Sequence, residues 1–174
     1  MSRLDKRAIL RQRAEAISRP FTIKVQEHRI LEVLEFGLEG EAYALETRYI
    51  KEVLDLEDVV ELPSVPAFVM GIFNHRCGIL SVIDLRVLFN LPSTQMEGTA
   101  KMIVLSSKDM EFALYADSIG MVKTIAESDV SRTIPSLCTF PQAYFKGLIE
   151  DRIVLLDGSA ILSDKGLIVY ETVD

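Results

Sequence analysis

The chain has 174 residues, 49% of them hydrophobic, enough for one domain or two small ones with a sizeable core. Its net charge of −7 is uneven: residues 1–19 carry six basic and two acidic side chains, leaving the remaining 155 with 13 basic and 24 acidic ones. An acidic body argues against the basic face that nucleic-acid binding needs, and no apolar run approaches the roughly 20 residues of a membrane span.

Residues 2–18 predict a helix. Ser2 with Asp5 resembles a capping box, Leu10, Ala14 and Ile17 fall on one face, and Pro20 stops the pattern. Residues 1–30 are therefore expected as a basic helical extension, either packed on the body or acting as a partner-docking arm. An Arg-rich start can imitate a mitochondrial presequence, but Asp5 and Glu15 argue against it, and Ala8-Ile9-Leu10 is too short for a signal-peptide core. Two cysteines, Cys77 and Cys138, make no disulfide framework. A cytoplasmic protein is the expectation.

From Val33 onward the texture is that of short strands. Val33–Leu38 and Glu41–Leu45 flank the turn Glu39-Gly40, a hairpin signal. Ile50–Leu54 and Val59–Leu62 read as further strands, and Ala67–Met70 as one helical turn. In the apolar stretch Gly71–Arg86, the polar Asn74-His75-Arg76-Cys77 followed by Gly78 predicts a hairpin with Arg76 at its tip. Leu85–Phe89 suggests a short helix and Leu91–Ala100 a loop. Strands resume at Met102–Ser106, Glu111–Tyr115, Ile119–Ile125, Gly147–Glu150, Ile153–Leu156 and Leu167–Tyr170. The fold class is all-β with short helices.

The chain echoes itself. Pro66 to Gly71 leads into an apolar strand, Arg76, a second apolar strand and Asp84. Pro141 to Gly147 leads into an apolar strand, Arg152, a second and Asp157. Two copies of one β module, divided at roughly 31–95 and 96–174, account for this. Short strands in such numbers close most easily as small barrels, with a groove between them. Asp84 and Asp157 each suit the cap of the helix or turn that follows.

Chemistry is scarce. His28 and His75 lack metal-ligand companions at useful spacing. Arg76 beside Cys77 could lower its thiol pKa, leaving a thiol redox sensor as an alternative, but no base or oxyanion hole accompanies it. There is neither a P-loop nor a GxGxxG. No catalytic, metal or cofactor site is predicted. Two displayed features remain: Arg76, and the segment Leu54–Val60, where Leu56, Val59 and Val60 alternate with Asp55, Glu57 and Asp58. Apolar side chains in an acidic loop are either tucked inward or serve as contacts.

Gly71, Asn74, Arg76, Ile79, Val82, Asp84 and Leu85 resemble the signature G-V-x-N-x-R-G-x-I-x-P-V-x-D-L of the CheW-like family of chemotaxis coupling proteins. Val33–Leu38, Tyr43–Glu46, Ile50–Val53, Pro66–Gly71 and Tyr144–Leu148 match further landmarks in order, so the resemblance spans about Leu31 to Tyr170. It implies two five-stranded SH3-like β-barrels in a CheW-like domain over 31–174. It also implies a non-enzymatic adaptor between the chemoreceptor cytoplasmic tip and the regulatory domain of the histidine kinase CheA. An adaptor of the same fold serving pilus-based motility or development is the alternative. By the resemblance, Arg76 is the functional Arg and Glu52 its acidic neighbour. Ile50 matches an apolar receptor-groove position, and Val59, with Leu56 nearby, a kinase-facing surface. Two positions depart from the pattern: Cys77 stands where the family has Gly, and Ser81 where Pro is common. The chain ends soon after its last expected strand, as in a free-standing coupling protein.

Overall fold

A computed structural model describes residues 29–76, 78–92, 99–134 and 141–167. The helix expected over 2–18 and most of the strand expected at 167–170 lie outside them. Among the described residues, eleven strands form two sheets. Strands β1 (Ile30–Leu38), β2 (Glu41–Glu46), β8 (Ser118–Ala126), β9 (Val130–Ser131), β10 (Phe145–Ile149) and β11 (Ile153–Leu156) build sheet A in the order β8-β1-β2-β11-β10-β9. Strands β3 (Ile50–Asp55), β4 (Val69–His75), β5 (Gly78–Ile83), β6 (Lys101–Ser106) and β7 (Glu111–Ala116) build sheet B in the order β3-β6-β7-β5-β4. Two short helices follow the parallel-paired strands: α1 (Leu85–Leu88) after β5 and α2 (Gly158–Ser163) after β11.

The internal echo is real, and its halves exchange strands. In sheet B the hairpin β6–β7 sits between β3 and β5; in sheet A the hairpin β1–β2 sits between β8 and β11. Each sheet has one parallel pair, β5 with β7 and β11 with β2. Sheet B is thus one continuous segment, 50–116, inserted into a sheet A made from both sides of it. This corrects the expected division at residues 95 and 96, which falls inside the segment that builds sheet B. The repeat in the sequence reports the order of like elements, whereas the sheets are set by long-range pairing.

Local signals explain most elements. Leu31 and Val33 alternate inward along β1 against exposed Ile30 and Glu32, the pattern of a strand with one wet face. Glu39 and Gly40 take φ of 50° and 79° at the β1–β2 turn, as a two-residue hairpin requires. Asp84 accepts a 2.9 Å hydrogen bond from the Arg86 amide, and Asp157 a 3.0 Å bond from Ala160, each capping its helix.

Two expectations on shorter segments change. Val59–Leu62 is no strand; only Val60 bridges, exchanging bonds of 2.8 and 2.9 Å with Ile72. Ala67 and Phe68 form a tight turn, closed by Val69 N–H donating to Pro66, while Val69 and Met70 already belong to β4. The left-handed backbone at the β4–β5 tip belongs to Arg76, at φ 53°; Gly78 is already the first residue of β5, opposite His75.

The larger apolar core joins both sheets. Leu34, Phe36, Leu38, Tyr43 and Leu45 of sheet A pack with Val82, Leu85, Phe89, Ile103, Leu105 and Leu114 of sheet B and α1. Stacked and tilted rings run through it, Phe36 to Tyr43 at 5.9 Å, Tyr43 to Phe89 at 5.9 Å and Phe89 to Tyr144 at 6.4 Å. A smaller core of Leu31, Val33, Ala44, Ile149, Ile153 and Leu155 fills sheet A.

A buried cation ties the same seam. Arg86, 7% exposed, donates from Nε and Nη2 to Asp84 at 2.8–3.2 Å. Its Nη1 reaches Glu39 at 3.2 Å and Asp117 at 3.5 Å, and its guanidinium lies 4.0 Å over the Tyr115 ring. Asp84 leads foremost in holding Arg86 more firmly protonated than an ordinary Arg. Glu39 sits in the β1–β2 turn and Asp117 between β7 and β8, so one guanidinium clasps a turn of sheet A, the end of sheet B and the link between them.

Candidate functional site at the β4–β5 hairpin tip

Sheet B ends in a hairpin whose pairing of His75 with Gly78 leaves a two-residue tip starting at Arg76. A two-residue tip wants positive φ, which Gly or Asn supplies most cheaply. An Arg there costs about 1 kcal/mol of backbone strain, yet its side chain is 72% exposed.

Its partner comes from β3. Glu52, side chain 19% exposed, accepts from Arg76 Nη2 at 3.2 Å through Oε2. Its other oxygen, Oε1, lies 2.7 Å from Nε2 of His75, side chain 12% exposed. A carboxylate has no proton to give, so Nε2 is the donor. β3 and β4 are opposite ends of sheet B, so the carboxylate spans the sheet's two edges. Beside it, Lys51 donates to both oxygens of Glu111 at 2.9 Å. That bond foremost, with help from Ser106 and His75, holds the Glu111 carboxyl below its ordinary value.

The predicted residues divide into two groups. Arg76 and Glu52 meet as a charged pair. Ile50, Leu56 and Val59 are half-buried and pack against the larger core, so these three are tucked inward more than displayed. Val60 is the exposed member of that loop, at 61%. Sequence reasoning weighed His75 only as a metal ligand and missed its bond to Glu52, which lies 23 residues away and carries no local signal. It missed the Arg86 clasp for the same reason. Among the described residues no group of three or more His, Cys, Asp or Glu could hold a metal ion, and no helix is long and apolar enough to cross a membrane.

The family model of the CheW-like domain matches residues 32–166. The chain belongs to the CheW-like family. The match includes both sheets, the hairpin tip and the Arg86 clasp. The chemotaxis protein CheW of Treponema pallidum (strain Nichols) is 26% identical over 143 residues, covering 78% of this chain and 84% of its own. CheW of Bacillus subtilis (strain 168) is 24% identical over 130 residues, covering 73% and 83%. The crystal structure of the scaffolding protein TtCheW from Thermoanaerobacter tengcongensis superposes with a TM-score of 0.67 at 24% identity, over 74% of this chain and 85% of that one. The likeness to that CheW structure establishes a mostly-β, two-sheet architecture with few short helices.

Proposed function

We propose that this chain is a non-catalytic adaptor that couples methyl-accepting chemoreceptors to the histidine kinase CheA. The observation that carries the reading is the display of Arg76: an exposed cation in left-handed backbone at a hairpin tip, oriented by Glu52. A half-exposed ion pair adds only about 0–1 kcal/mol to the fold, so stability does not account for it; fixing a guanidinium for a partner does. Membership of the CheW-like family and similarity to chemotaxis CheW proteins support the same reading.

In this reading each sheet closes as a small SH3-like barrel. Val60, bonded to Ile72, joins the chain beyond β3 to the far edge of sheet B. β8 and β9, separated only by a 3-10 turn, hold opposite edges of sheet A. The groove between the barrels, with Ile50 on its floor, takes the helical receptor tip. The kinase regulatory domain meets the loop of Leu56 and Val59. The adaptor works in the cytoplasm, recruited to membrane-bound receptors, and neither inserts in the membrane nor binds nucleic acid.

An adaptor must hold both partners at once. Titration calorimetry with a soluble receptor-tip fragment, then with the CheA regulatory domain added to that mixture, is expected to give two saturable 1:1 steps. Competition, with the second partner displacing the first, would contradict coupling.

A further inference from the structure

We propose that His75 is a positioning residue: by holding Oε1 of Glu52 it aims Oε2 at Arg76 and so sets the pose in which the tip presents its guanidinium. The inference rests on the reading of Arg76 as a displayed contact.

A Glu side chain at the edge of a sheet has several rotamers, and an ion pair with an exposed Arg does not select one strongly. Glu52 is restrained because its other oxygen is engaged by a side chain that cannot move far. His75 sits in the last register position of β4, opposite Gly78, with its side chain only 12% exposed. Its ring lies 5.8 Å from that of Phe73, which points into the core. The imidazole is thus fixed to the sheet by packing and pairing, and at 2.7 Å its bond is the shorter of the two to Glu52. Arg76, by contrast, carries a long side chain that is 72% exposed to solvent. Order passes from the core to Phe73, to His75, to Glu52 and finally to Arg76. Without the imidazole, the carboxylate can turn both oxygens toward solvent.

The test uses the full chain and NMR of the Arg76 side chain, reading the rate of rotation about its Nε–Cζ bond. His75→Phe keeps a ring beside Phe73 but cannot donate; His75→Leu is a second non-donating variant; His75→Gln restores an N–H at the place of Nε2. Thermal unfolding confirms that each is folded. The non-donating variants are expected to speed the rotation about two- to fivefold, the range set by loss of one half-exposed ion pair, and His75→Gln to match the wild type. An unchanged rate in the non-donating variants, or a Gln variant as fast as they are, would overturn the inference. No partner is present in this measurement, so its outcome is separate from that of the adaptor reading, which is decided by reconstitution with receptor and kinase.

Discussion

Replacing Arg86 by Met is expected to destabilise the protein by about 3–5 kcal/mol, the cost of removing one partner from a buried ion pair. Met keeps most of the apolar stem but takes the cation away from Asp84, Glu39 and Asp117. The Glu39 and Asp84 side chains are 4% and 9% exposed, so neither charge can turn to water. The loss falls on the seam between the sheets. Arg86→Lys is expected to recover part of it, because an ammonium cannot fork to Asp84 and Glu39 together. Urea unfolding followed by circular dichroism gives the comparison. A loss below about 1 kcal/mol would mean that the clasp behaves as a surface pair.

Gly71→Ala is the second large effect. Gly71 adopts φ of 154°, and a Cβ there would overlap the Val60 carbonyl and lie 2.9 Å from Val59 Cγ1. The Val60–Ile72 bonds are what bring the far edge of sheet B to the chain leaving β3. We expect a loss of about 2–4 kcal/mol, from overpacking and from a backbone angle that suits glycine. Gly147 holds the matching place in sheet A. A Cβ there would overlap Val130 Cγ1 and come within 2.7 Å of the Ser131 carbonyl, so Gly147→Ala should cost a similar amount. Gly78→Ala is the control: its nearest neighbour would be the His75 carbonyl at 3.9 Å, and a change within about 0.5 kcal/mol is expected, as for an ordinary surface position. Equal effects at Gly71 and Gly78 would remove the argument from close approach.

Much of the fold was legible because its signals are local. Glu39-Gly40 marked the first hairpin, and Asp84 and Asp157 marked both helix caps. The two modules that start at Pro66 and Pro141 marked the repeat. What the sequence hid was long-range. The exchange of hairpins between sheets leaves no trace in residue order, so the boundary came out near residue 95 when sheet B runs from 50 to 116. Val59–Leu62 reads as a strand by composition but makes only one bridge, because Pro63 and the turn at Ser64 follow at once. β9, two residues long, is below what any pattern can carry. At the site, Arg76 stood out as a cation inside an apolar run, and its pairing with Glu52 came through the family resemblance. Lone side chains such as His75 and Arg86 acquire their roles from residues tens of positions away, which periodicity does not report.

In the proposed function Arg76 is displayed for a partner rather than for the fold. Reconstitution of a receptor tip, CheA and this chain, reading kinase autophosphorylation, tests it most directly when wild type is run beside Arg76→Ala. Wild type is expected to bring the kinase under receptor control, while Arg76→Ala, with an unchanged circular dichroism spectrum and melting temperature, is not. Full coupling by the folded Arg76→Ala variant would contradict it.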